Sequence, residues 1–207
     1  MNKLNKIDLI LAVIIGEVVA GIMVLIAENL AIEVPAIMYF MPFKNYLLVF
    51  SPLLCTAGLV IAHFLSKTIS VAYQFAKFML VGGLNFLIDM GVLNFLVFYT
   101  DSPVGPKQSG LKGISFIIAV INSYFWNKLW TFKRTTIERV GKEFFQFFLV
   151  SIIGFLINLV VDYAFVNFLS TTAEIPLKSW AQLSAMAAAI VVLFWNFIAY
   201  KLVVFKK

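Results

Sequence analysis

Long apolar runs, separated by short clusters of charge, proline and glycine, dominate the pattern along this chain. Six runs reach the roughly 20 residues that cross the hydrocarbon core of a bilayer: residues 7–27, 46–65, 75–99, 114–132, 144–169 and 180–200. Each is predicted to be a helix, because lipid offers the backbone no hydrogen-bond partner and a helix satisfies its own. The third and fifth runs are long enough to tilt or to project from the membrane. The breaks carry helix punctuation: Pro35 and Pro42 in the first, Asp101-Ser-Pro-Val-Gly-Pro in the third, Pro176 in the fifth. Pro52 falls in the first turns of the second run, where it can start or kink a helix.

The polar breaks also orient the chain. Lys3 and Lys6 precede the first run, Lys67 and Lys77 lie near the second break, and Lys133, Arg134, Arg139 and Lys142 fill the fourth. Lys201, Lys206 and Lys207 close the chain. The alternate breaks hold Glu28, Glu33 and Lys44, then Asp101, Lys107 and Lys112, then Glu174 and Lys178. Under the positive-inside rule the first set is cytoplasmic. The expectation is an all-α integral protein of the cytoplasmic membrane with about six transmembrane helices and both termini in the cytoplasm. The first run is expected to be retained, since 21 residues is long for a signal-peptide core and no small-x-small cleavage site follows.

Composition agrees with this picture. Hydrophobic residues make up 62% of the chain and charged ones 13%, with 22 phenylalanines, against about half and a quarter in soluble domains. The net charge of +6 is accounted for by the orientation signal and attraction to anionic lipid heads; nothing points to nucleic acid. Cys55 and His63 each stand alone, which leaves no disulfide and no metal-ligand cluster. There is no P-loop or dinucleotide turn, so no cofactor and no covalent catalysis are expected, and any transport must run downhill or be ion-coupled.

The last four runs read as two copies of one hairpin. FMLVGGLNFLID at 78–89 aligns without gaps on FFLVSIIGFLIN at 147–158 with six identities in twelve, and the copies finish alike in KLWTFK from Lys128 and KLVVFK from Lys201. Two helices per copy preserve orientation, making this a parallel repeat, an arrangement that places transporter sites at the repeat interface. The first two runs match neither copy, which divides the chain into a two-helix module at 1–70 and a four-helix domain at 71–207.

FAKFMLVGGLNFLID, NSYFWNKLWTFK and FWNFIAYKLVVFKK, in that order over about residues 73–207, resemble the GtrA-like family of small four-helix membrane proteins. The resemblance implies translocation of a polyprenyl-phosphate-linked sugar for cell-surface glycan modification, beside a membrane-associated glycosyltransferase that charges the lipid. The two added helices depart from the family pattern. A 23.3 kDa chain is small for enclosing a large headgroup, which leaves room for a homodimer.

Polar residues within the runs are the site candidates, because an ionisable group at mid-bilayer costs about 2.5–3.5 kcal/mol on insertion scales. Asp89 lies about 18 Å along a helix from Lys77, with Asn85 one turn before it. Asn158 takes its place in the second copy, and Asp162 follows one turn on. Asn122 falls at a depth where it could meet Asp89, forming a polar seam for the headgroup, or simply a hydrogen-bonded link between helices. Lys128 and Lys201 occupy matching places near the cytoplasmic helix ends, deeper than ordinary snorkelling requires, where a lipid phosphate would pair with them. Asn127, Asn196, Trp126 and Tyr200 flank them. With Tyr124, Trp130 and Trp195, these aromatics are expected mostly in an interfacial belt, one or two stacking on the ligand. Ala181, Ala185 and Ala189 form a small-residue stripe that predicts a close helix crossing. Glu17, alone within the first run, is a secondary candidate for proton binding.

Three functions fit these residues. One is the sugar-lipid carrier. Another is a non-transporting anchor that orients a glycosyltransferase through the basic segment 133–142. The third is a small proton-coupled exporter dependent on Glu17.

Overall fold

A computed structural model describes residues 4–33, 35–39, 41–101, 104–136, 139–169 and 177–206. Lys3, Lys207, Glu174 and Pro176 lie outside the described residues, as do the side chains of Glu33, Pro35, Lys178 and Ala181. The regular elements are helical throughout: α1 Lys6–Glu33, the short α2 Pro35–Met38, a 3₁₀ turn at Met41–Phe43, α3 Lys44–Leu65, α4 Ala72–Thr100 and α5 Gly105–Trp126. Then follow α6 Val140–Ala164 and α7 Leu177–Ala199. Asp101 ends α4 in the left-handed conformation with φ 48°, which a short polar side chain tolerates better than most.

Among the described residues five segments are long and apolar enough to cross a membrane: Lys6–Asn29, Met41–Leu65, Ala72–Thr100, Val140–Asn167 and Gln182–Val204. The helix covering the fourth predicted run is not one of them. It starts nine residues earlier than the run at 114–132, and its opening stretch Gly-Pro-Lys-Gln-Ser-Gly-Leu-Lys-Gly is polar.

α5, α6 and α7 each continue into a π-helical turn, at Asn127–Thr131, Phe165–Leu169 and Tyr200–Val204. The first and last coincide with the two stretches that finish alike. Each closes on a five-residue bond, Phe132 N donating to Asn127 O and Phe205 N to Tyr200 O, both at 2.8 Å. A π turn widens the helix locally and recurs at functional sites.

The chain forms two compact units, Met1–Lys133 and Arg134–Lys207. This division falls after the first π turn. In the first unit α1 packs on α3 and α4, α3 on α4, and α4 on α5. Its core gathers Ala12, Ile15, Leu59, Tyr73, Val81, Leu84 and Trp130. Gly16 makes the α1–α3 contact possible, since a Cβ there would lie 2.3 Å from Pro52 Cα. Pro52 is buried inside α3; lacking an N–H it leaves no unpaired donor at the crossing.

In the second unit α6 packs along α7. Phe147 stacks on Tyr200 with ring centroids 4.2 Å apart. The small residues of α7 that pack are Ser184 and Ala188, both fully buried, whereas Ala185 and Ala189 are exposed. The predicted stripe is therefore displaced by one residue, a rotation of about 100° that only the neighbouring helix determines.

Candidate functional site

α4 and α5 carry a ladder of polar pairs. Asp89 accepts from Lys112 Nζ, and Ser115 Oγ donates to its other oxygen at 2.6 Å. One turn nearer the α4 start, Asn122 Nδ2 donates to Asn85 Oδ1 at 2.7 Å, while Asn85 Nδ2 donates to Val81 O at 2.6 Å. Asp89, Asn85 and Asn122 thus lie on one seam, but the expected Asp89–Asn122 contact is not made: each has a nearer partner one step along the ladder. Lys112 and Ser115 complete the ladder and escape a reading of the sequence, in which Lys112 falls in a loop. Lys112, Ser115 and Asn122 recur at helical spacing on α5, a signal that the sequence does contain once α5 is begun at Gly105. The Asp89 and Lys112 side chains remain 20% and 46% exposed.

The end of α5 and the first π turn hold three more candidates. Asn127 donates from Nδ2 to Ser123 O at 2.9 Å, and its buried Oδ1 accepts no hydrogen bond among the described residues. Lys128 is buried, its Nζ donating to Tyr124 OH at 3.3 Å and lying 5.6 Å from that ring's centroid. Trp126 is half-buried and meets Trp130 edge-on at 5.7 Å.

The second unit holds the remaining four. Tyr200, buried, shares a 2.7 Å hydrogen bond with Ser151 Oγ. Lys201 is half-buried with Nζ 5.8 Å from the Phe197 ring, so both candidate lysines lie over the aromatic ring four residues earlier. Asn158 is half-buried, and Asn196 has a buried Oδ1 without a donor among the described residues. Asp162 accepts from Ser184 Oγ at 2.5 Å.

Three of the aromatics expected in the belt are packed inside their units. Tyr124, Trp130 and Tyr200 are buried within their units, because each has a polar atom that finds a partner inside. Trp195 is exposed along α7, with Nε1 3.3 Å from Val150 O. Glu17 is exposed on α1.

Among the described residues of the first unit, the carboxylate with the most hydrogen-bond donors carries no signal in the sequence. Asp8, in the first turn of α1, is buried and takes bonds from Lys77, Tyr73 and Trp130. Lys77, expected at a cytoplasmic break, is instead buried within α4.

Long apolar helices with paired polar groups between them define a multi-pass membrane protein. Residues 77–205 match the family described as GtrA/DPMS, transmembrane domain. The chain belongs to this GtrA-like family of small polytopic membrane proteins linked to the handling of polyprenyl-phosphate sugars, and membership fits a non-enzymatic transporter or accessory role. The chain is also similar to the "Uncharacterized membrane protein YngA" of Bacillus subtilis (strain 168), 36% identical over 93 residues. Those residues are 44% of this chain and 57% of that protein, so the chain spans somewhat over half the length of the curated relative it matches. No solved structure matches.

Proposed function

We propose that this protein carries a polyprenyl-phosphate-linked sugar across the cytoplasmic membrane for cell-surface glycan modification. The observation that supports this best is the half-open ladder of Asp89, Lys112, Ser115, Asn85 and Asn122. Charged groups are costly within apolar helices, and these are not sealed from a ligand. Sugar hydroxyls both donate and accept, so they can exchange hydrogen bonds with carboxylate, amide and hydroxyl groups as the headgroup moves along the seam. Asn158, Asn196, Trp126, Asn127 and Tyr200 are the further polar and aromatic contacts of this reading, with Lys128 and Lys201 as phosphate contacts. Lys128 would have to leave Tyr124 to serve.

In this reading the chain crosses six times with both ends in the cytoplasm, α5 taking the fourth crossing on the strength of its apolar half. A two-helix module at 1–70 precedes a four-helix domain at 71–207 made of two parallel hairpins. The π turns shared by the two KL stretches support that repeat. A glycosyltransferase would load the lipid at the cytoplasmic face, two copies of the chain could form the path, and consumption of the sugar on the far side would pull transport.

The test uses purified protein in liposomes with a polyprenyl-phosphate sugar labelled on one leaflet, read by a membrane-impermeant reagent. Accelerated exchange, lost in Asp89→Asn, is expected. No acceleration by folded protein would sink the carrier reading. The anchor reading would then gain, for which Lys133, Arg139 and Lys142 are exposed and lie outside the Arg134–Glu143 contact at 3.8 Å. Neutralising those three residues would in that case abolish glycosylation.

A further inference from the structure

Asp8 is 2% exposed and accepts three hydrogen bonds. Lys77 Nζ at 2.6 Å and Tyr73 OH at 2.9 Å reach its Oδ2, and Trp130 Nε1 at 2.8 Å reaches Oδ1. The donors come from α4 and the first π turn, the acceptor from α1, far ahead of the family-matched segment. Lys77 Nζ also lies 4.8 Å and 5.3 Å from the centroids of the Tyr73 and Trp130 rings. The result is a cup of one ammonium, one phenol and one indole, walled by aromatic faces and closed by a carboxylate.

A salt bridge needs one donor; this cup supplies three, directed at both oxygens of a single centre. A phosphate presents the same edge of oxygens. A buried ammonium without a counter-charge is strongly unfavourable, so the cup requires an anion whether or not α1 provides it. Asp8 is the third residue of α1, in the first turn, whose N–H groups lack intrahelical acceptors. Withdrawing it breaks few helix bonds, and the ends of helices open most readily.

We propose that Tyr73, Lys77 and Trp130 form a further binding site for the phosphate of the lipid headgroup, separate from the contacts assigned to Lys128 and Lys201, and that Asp8 occupies it as an internal stand-in until the phosphate enters. This rests on the carrier reading for the identity of the ligand. It also explains the presence of the added helix α1, which keeps the site closed while no lipid is loaded.

Full-length protein in nanodiscs of neutral phosphatidylcholine tests it, with farnesyl phosphate and, separately, inorganic phosphate as probes followed by ³¹P line broadening. Asp8→Asn is expected to bind farnesyl phosphate at least about tenfold more tightly than the wild type, the scale of one hydrogen-bonded charge released from competition. Adding Lys77→Met to it should remove the gain. Because Asp8→Asn could unfold the unit, the exchange Asp8→Lys with Lys77→Asp provides a second arm that keeps an ion pair. A folded exchange variant should lose farnesyl phosphate binding; unchanged binding would mean that the pair is only structural. Folded Asp8→Asn binding no more tightly than the wild type would overturn the stand-in. An equal gain for inorganic phosphate would overturn the lipid assignment. Binding is read without transport, so liposomes that show no exchange while Asp8→Asn keeps its gain count against the carrier alone. Normal exchange with no gain counts against this site alone.

Discussion

The helix pairs α4/α5 and α6/α7 start from twelve-residue stretches that share half their residues, yet they handle polarity in different ways. In α4/α5, Asn85 reaches across to Asn122, and Asp89 faces a lysine and a serine. In α6/α7 the place of Asn85 is taken by Gly154, where an added Cβ would lie 2.7 Å from Asn196 Oδ1. The place of Asp89 is taken by Asn158, and the nearby Asp162 meets a serine. Residues 182–199 of α7 contain no charge at all. Where one pair has a link between two side chains, the other has a glycine against which the Asn196 and Val192 side chains pack. The lesson is that similar helices can be specialised by a few substitutions, one pair linking a carboxylate to a lysine across its face and the other linking its carboxylate only to a serine.

The difference is sharpest at the carboxylates. Asp89→Asn is expected to lower liposome exchange at least about tenfold, because hydrogen bonds to charged groups are worth about 1.5–3 kcal/mol. Asp162→Asn should leave it within about threefold, since an amide can still accept from Ser184 at a cost near that of an ordinary hydrogen bond. Equal losses would erase the distinction between the pairs.

Packing provides the next contrast. Gly16→Val should destabilise the first unit by about 1–3 kcal/mol, the usual cost of overpacking, because the intruding carbon meets the Pro52 backbone. Gly154→Ala meets side-chain atoms of Asn196 and Val192, which can shift, so thermal unfolding in detergent should show a markedly smaller loss. Tyr200→Phe keeps the stack on Phe147 and loses the Ser151 bond; about 0.6–1.7 kcal/mol is expected, the range for interhelical bonds in membranes. The smallest effect is assigned to Glu17→Gln. An exposed side chain on α1 should alter stability by no more than about 0.5 kcal/mol and leave sugar-lipid exchange unchanged. A pH-dependent cation efflux that Glu17→Gln abolishes would revive the exporter.

Much of the helical layout is legible without coordinates, and particular residues show where legibility stops. The second run at 46–65 is recovered within two residues as α3, because apolar length and the breaks around it are local properties. The run at 114–132 misses the start of α5, since the opening Gly-Pro-Lys-Gln-Ser is polar and reads as a loop. The seam is legible as a set of polar residues, but not its pairs: Asp89 finds Lys112, 23 residues away, while Asn122 finds Asn85, 37 away. Tyr124, Trp130 and Tyr200 read as belt aromatics because a sequence shows their amphipathic character but not whether the polar atom faces water or a buried partner.

By itself the sequence determined that this chain is an all-α membrane protein, where its helices break, and which family it resembles, because apolar run length and motif order need no knowledge of neighbours. Only the tertiary structure decided that Asp8 belongs with Trp130, 122 residues on, that Lys77 is buried in a helix, and that Ser184 and Ala188 are the packed small residues of α7. Those outcomes depend on the rotation and register of helices brought together across long sequence separations. In lipid, where an apolar surface gains nothing by leaving the solvent, close packing and polar pairing choose that register.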